Sequence, residues 1–336
     1  MLDVLSNMVV VPQTPIQELN NQGEMMVSLP QANLSSMQVS VDGQFLAFIQ
    51  DNGQGASGTL KVLDLKQDMG QLVSQSIQGQ QLAWLGTSDD LVYEDHGDIF
   101  RLNLPDATSR NLTASDEYDS KPLPSPNGKS VMWTRRPAGG GEAEDEFWLV
   151  DSDGGNKRFL AAAAKLPVWD PSGDKILSRR DIVISPSNNT YSYFLETAND
   201  NGSGWGLYAK CDREPLYAWW PGDSFYYVAS YKKGGGADTK GVWFRVDGPT
   251  SFKRVAATAS LGADTSYYRF YPSRKGQLLA YVGEKGLEYL DMLERAIYRF
   301  NGVDARLPLA WDEASGYLYY SGETGIYRVS IRGGGS

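Results

Sequence analysis

The sequence predicts an all-β fold, a seven-bladed β-propeller of four-stranded blades whose ring is closed by an amino-terminal strand. Three observations lead there. Short apolar runs recur, broken by Gly, Asp, Asn and Pro, while helical periodicity is nearly absent. A strand–turn–strand segment recurs seven times, with turn markers 39 to 53 residues apart. A second strand–turn–strand segment follows most of these, so each repeat supplies four strands.

The seven first halves are "VSVDGQFLAFI" (39–49), "AWLGTSDDLVY" (83–93), "LPSPNGKSVMW" (123–133), "VWDPSGDKILS" (168–178), "AWWPGDSFYYV" (218–228), "FYPSRKGQLLAY" (270–281) and "AWDEASGYLYY" (310–320). Their second strands are continuous apolar runs rather than alternations, as expected of sheets covered on both faces. The second halves include "LKVLDLKQDMGQLV" (60–73), "DIFRLNLPDATSRNLT" (98–113), "EFWLVDSDGGNKRFL" (146–160) and "GVWFRVDGPTSFKRVA" (241–256). The best helical pattern, "LEYLDMLERAIYRF" (287–300), falls where the repeat places two strands.

Within "DSDGGN" (151–156) acidic residues alternate before a glycine, as at the start of a calcium loop. Calcium would need further oxygen ligands ending in a bidentate carboxylate. "KRFL" follows instead, and Lys157 and Arg158 would oppose a cation. The stretch reads as a turn, with Gly154, Gly155 and Asn156 able to take positive φ.

The seventh repeat supplies only three strands, so "MMVSLP" (25–30) is expected to add the fourth and close the ring, with Met26 and Leu29 packed. Three regions follow: an extension or tether over 1–24, one propeller domain over 25–331, and a linker remnant, "RGGGS", over 332–336.

"SPNGKSVMW" with "FWLVDSDGGNKRFL", "WDPSGDKIL" and "RNLT" give the chain a resemblance to the TolB-like, WD40-like propellers of bacterial envelope proteins. It covers about residues 25–331, strongly in two or three repeats. It implies the fold and a periplasmic or extracellular location. The chain departs from TolB itself in showing no amino-terminal α/β domain and seven repeats rather than six. Trp169-Asp170 and Trp311-Asp312 lie in first turns, not where WD repeats carry Trp-Asp.

Composition narrows the function. A net charge of −10 argues against a nucleic-acid partner and against electrostatic binding to anionic lipid. No run of about 18 apolar residues exists to span a membrane, and "MLDVLSNMVVVPQ" lacks the basic start of a signal peptide. A single cysteine, Cys211, excludes an internal disulfide and reads as a buried structural thiol. The only histidine, His96, reads as a solvated turn residue, which excludes a metal site built on several histidines. The nucleophile elbow, P-loop and zinc-protease motifs are absent. We therefore expect no cofactor, no metal and no catalytic residues.

Long loops gather between second and third strands, and inserted loops on one end of a propeller mark a binding face. The longest insert, "RRDIVISPSNNTYSYFLETANDNGSGWG" (179–206), carries Tyr191, Tyr193, Phe194 and Trp205. With Arg135, Arg136, Tyr231 and Lys232 from neighbouring loops, these are the candidate partner-binding residues. The leading expectation is a non-catalytic protein-binding scaffold of the envelope or cell surface, serving a protein partner or larger assembly. The alternative is a carbohydrate-binding or carbohydrate-cleaving propeller using aromatic platforms and a carboxylate pair.

Overall fold

The computed structural model describes residues 15–331, apart from 30–32, 54, 56, 87–88, 141–144, 163, 186–189, 212–214, 221–223, 230–240, 248–250, 257–269 and 284. For residues 185 and 190, and for the strands within 211–256 except at Tyr217, only the backbone is described. Cys211 is a strand residue of that kind, and Tyr231 and Lys232 lie outside the described residues.

The chain divides into two compact units. One comprises residues 23–163 and 304–336 and holds four sheets of four strands. Three are antiparallel meanders: Leu34–Val39 to Gly70–Gln78, Leu82–Trp84 to Thr108–Asn111, and Tyr118–Pro124 to Arg158–Ala162. The fourth joins Arg306–Asp312, Tyr317–Ser321 and Gly325–Ser330 to Glu24–Ser28, which pairs antiparallel with Gly325–Ser330. Leu29 is buried here, and Met26 packs beside it on Ala310, Tyr319 and Ile326.

The second unit comprises residues 1–22 and 164–303. It holds a meander from Ala164–Trp169 to Gly206–Cys211, another from Pro215–Trp220 to Ser251–Ala256, and a five-stranded sheet. In that sheet Tyr271–Pro272, Leu278–Gly283, Gly286–Asp291 and Ala296–Phe300 are joined by Ile16–Leu19.

The expected strand count is thereby corrected: six four-stranded blades form, not seven. The sixth repeat has a fifth strand, taken from the segment read as an extension. Ile16–Leu19 pairs parallel with Ala296–Phe300, Gln17 opposite Tyr298. A parallel partner needs no hairpin and leaves no turn signature to read.

Strand Phe45–Asp51 explains the continuous apolar runs. Phe45, Ala47 and Ile49 face Leu82, Trp84 and Tyr93 of the next sheet. Leu46 and Phe48 face Ala310, Tyr319 and Ile326 of the sheet on the other side. Successive side chains point to opposite faces, so a strand sandwiched between sheets must be apolar throughout. Each such burial is worth roughly 1.5–3 kcal/mol.

The turn signature has an equally local cause. In four first turns, a Ser or Asp accepts the backbone N–H five residues on: Ser40 from Phe45 at 2.9 Å, Ser125 from Ser130 at 3.0 Å, Asp170 from Lys175 at 2.8 Å and Ser273 from Leu278 at 3.1 Å. The glycine three residues after each has φ between 68° and 77°, a region that costs other residues about 1–2 kcal/mol. Ser/Asp-x-x-Gly is thus the chemical content of the repeat.

The "DSDGGN" stretch is a turn. Gly154 N–H donates to the Asp151 carbonyl and Asp151 N–H to the Gly155 carbonyl, at 2.8 and 2.9 Å. Asn156 and Arg158 donate to the Asp151 carboxylate, and Gly155 N–H to that of Asp153. Arg101, which also pairs with Asp90, donates to the Ser152 carbonyl at 2.8 Å and ties the turn to the preceding sheet.

Candidate functional site

Two places gather exposed functional groups, one in each unit. In the unit containing residues 164–303, Lys175–Ser185 and Thr190–Asn199 are the longest strands described, at 11 and 10 residues. Among the described residues, the first strand of their sheet pairs as far as Arg180, opposite Ala164. The described part of the fourth, Gly206–Cys211, reaches as far as Tyr193, opposite Cys211. Between these limits the two strands pair with each other, Ile182 opposite Ser192 and Val183 opposite Tyr191. Among the described residues they form a two-stranded arm beyond the four-stranded part of the sheet.

The sequence places β-branched residues where a sheet would bury them, yet here they are open. Ile182, Val183 and Ile184 are 46%, 50% and 57% exposed. The rings of Tyr191 and Tyr193, two residues apart and so on one face, lie 6.3 Å apart. Below them Arg179 sits 5.6 Å from the Tyr193 ring and pairs with Asp181 at 2.7 Å. Lys165 donates to the same carboxylate at 3.0 Å. Two cations thus share one carboxylate at the base of the arm.

Of the residues singled out from the sequence, the arm unites Tyr191 and Tyr193. Phe194 points to the opposite face, 5.8 Å from the Lys210 ammonium. Trp205 is half-buried just before Gly206–Cys211, at the other end of the strand from Tyr191. Sequence reasoning missed Ile182–Ile184, because a β-branched run signals a strand and not its exposure.

The second place lies in the other unit, where Tyr118–Pro124 begins. Arg135 grips Asp119 with two hydrogen bonds of 2.8 Å and lies 4.5 Å over the Trp148 ring. Those bonds hold its guanidinium above its ordinary pKa, and Asp119 is buried. Arg135 is committed to the fold. Arg136 pairs with Asp145 at 2.9 Å and keeps a third of its side chain exposed.

Nearby, the Glu94 carboxylate accepts N–H groups from Gln80 at 2.9 Å and Lys121 at 2.5 Å. Burial pushes its carboxyl up, against the pull of those donors. The half-exposed Tyr118 hydroxyl is raised by burial, then by Glu94, with Arg136 opposing. A bulge after Ser120 holds Lys121 at φ 54° and presents its exposed side chain. Glu94, Tyr118 and Lys121 were not singled out from the sequence. The available signal was Pro122 within a strand, which marks a bulge.

His96 is an exposed turn residue whose Nδ1 lies 2.6 Å from Asp95. Among the described residues no group of three or more His, Cys, Asp or Glu side chains is placed to hold a metal ion. No described helix is long and apolar enough to cross a membrane.

No family model matches the chain, and no curated protein matches it. Solved structures do. An oligogalacturonate lyase in complex with manganese superposes with a TM-score of 0.66 at 11% identity, over 94% of this chain and 97% of its own. The oligogalacturonate lyase of Vibrio parahaemolyticus gives 0.66 at 10% identity, over 94% and 98%. The WD40 domain of Toxoplasma gondii coronin gives 0.57 at 10% identity, over 92% and 83%. The manganese of the first is a property of that protein. The expectation that the chain is not an enzyme is corrected, because two of these similar structures are enzymes and the fold gives no ground for excluding catalysis. What these likenesses establish is architecture: the chain has the β-propeller fold.

Proposed function

We propose that this protein is a binding propeller that engages a protein partner through the two-stranded arm at Asp181–Ser185 and Thr190–Ser192. The observation that carries this reading is the contiguous exposure of Ile182, Val183 and Ile184 beside the Tyr191–Tyr193 pair. Exposed apolar groups rimmed by charge mark interaction sites, and tyrosines suit interfaces because one end is apolar and the other polar. The likeness of the repeats to envelope propellers supports placing this binding outside the cytoplasm.

The test is capture from an extract of the cells that make the protein, with wild type beside a variant in which residues 181–192 are replaced by a Gly-Ser turn. A protein held by wild type and lost by the variant is expected. Equal capture by both would refute the arm as the interface.

A second reading, binding or cleavage of an acidic oligosaccharide, is favoured by the exposed Tyr118 and Lys121 and the partly exposed Arg136 near Glu94, whose carboxyl burial pushes up. Its support from other proteins is the two lyases of similar fold. Titration with oligogalacturonate tests it. Heat released by wild type and abolished in Tyr118→Ala and Arg136→Ala would establish it, and no heat from wild type would dismiss it.

A further inference from the structure

We propose that the partner is held by β-strand addition: it contributes an extended apolar segment, flanked by an acidic residue, that pairs with the outer edge of Asp181–Ser185. This rests on the arm being the protein-binding element.

The backbone makes the first argument. Among the described residues, strand Ala164–Trp169 pairs with Lys175–Ser185 up to Arg180. Beyond it, among the described residues, no strand pairs with the outer side of Asp181–Ile184. An edge of this kind presents a row of N–H and C=O groups that template another chain. Edges that must remain free are guarded by Lys, Pro, an inward charge or a bulge. Residues 182–184 are Ile, Val and Ile, and the one irregularity, a register shift between Val183 and Ser185, lies at the tip.

Side chains make the second. Ile182 and Val183 project on opposite faces, and Ile184 follows at the register shift, all about half exposed. A strand added alongside would lay alternate side chains against Ile182 on one face and Val183 on the other. Main-chain bonds would supply affinity and these contacts specificity.

Charge makes the third and sets the flank. At the base of the edge, Asp181 is shared by Arg179 and Lys165, leaving an excess positive charge, and the Lys165 side chain is about half exposed. An acidic residue beside the partner's apolar segment would complement it. A second copy fits less well: two arms pairing edge to edge would bring both basic clusters, and two chains of net charge −10, together.

The probe is a fluorescent peptide, Glu-Thr-Val-Thr-Val-Thr, read by anisotropy. It is compared with two twins N-methylated at alternate residues and with a twin carrying Lys for Glu. Binding to wild type is expected. One methylated twin should bind at least tenfold more weakly, the other should bind nearly as well, and the lysine twin should lose several-fold in low salt. Ile182→Lys/Ile184→Lys should abolish binding, with an unchanged circular dichroism spectrum confirming the fold.

Equal binding of both methylated twins, or no binding of the parent peptide at millimolar concentration, would overturn strand addition. If arm-dependent capture of a protein persisted in that case, the arm would remain the interface. If the arm replacement left capture unaffected, the earlier reading would itself have failed. A doubled mass in light scattering, removed by Ile182→Lys/Ile184→Lys, would make the occupant a second copy and overturn the proposal.

Discussion

Val183 stands directly opposite Tyr191 in a stretch where two strands pair with each other alone among the described residues. Elsewhere in the same sheet, Ile176 and Leu177 on one strand face Ala198 and Thr197 on the other, and both aliphatic residues are buried. One strand therefore carries a core segment and an exposed segment in succession. The point of change is Arg180, the last residue that the described part of the first strand pairs with.

Placing charge on the exposed segment should leave the fold intact. Ile182→Lys/Ile184→Lys removes little buried surface, so the urea midpoint should imply a stability change within about 0.5 kcal/mol per site. Leu177→Ala, in the buried part of the same strand, should cost about 2–5 kcal/mol.

Arg135→Ala should be among the most damaging polar substitutions in its unit. It strands the buried Asp119 carboxylate without its bidentate partner, and loss of one member of such a pair costs about 3–5 kcal/mol. Arg135→Lys should rescue only part of this, since an ammonium cannot form the two-pronged contact. Denaturant unfolding of the two variants side by side checks the order.

Gly173→Ala should cost about 1–2 kcal/mol, because position 173 sits at φ 77° and alanine disfavours that region. The nearby exposed Ser172→Ala, which keeps an L-residue in place, should cost less. A thermal melt with Gly173→Ala no less stable than Ser172→Ala would contradict the turn account.

Stability should depend on pH through Glu94. Its carboxyl is raised in the folded protein, so the native state holds a proton that the unfolded chain releases at lower pH. The stabilising contribution is complete below the ordinary glutamate value and falls away as pH rises through the raised one. Asp312, also raised by burial, acts in the same direction. Glu94→Gln should flatten this part of the profile, measured as urea midpoints from pH 4 to 8.

Removing residues 1–30 should lower cooperativity of unfolding. It strips the partner of Gly325–Ser330 and removes the buried Leu29. Each lost backbone bond is worth about 0.5–1.5 kcal/mol net. Unfolding followed by tyrosine fluorescence and by circular dichroism should no longer coincide.

What could be read from the sequence was whatever is encoded locally. Ser40, Ser125, Asp170 and Ser273 each make their turn with residues at most five positions away, so the repeat was visible without any tertiary information. The fifth strand was not, because Gln17 meets Tyr298 across most of the chain and carries no mark of it. Arg135 and Arg136 looked alike as loop arginines. Only the fold shows that one is laid over Trp148 and locked to Asp119 while the other keeps a third of its side chain exposed. Ile182–Ile184 were hidden for the opposite reason, since their pattern is that of a core strand and their exposure depends on where a neighbouring strand stops.

The most direct test of the account is a photo-cross-linker placed at position 183, with one at Leu72, an exposed outer-strand residue of the other unit, as control. Both proteins are irradiated in an extract of the cells that make them. The account predicts one defined adduct from position 183 that is absent from position 72, and that disappears when Ile182 and Ile184 are also lysine. No adduct at 183, or the same adducts at both positions, would contradict it.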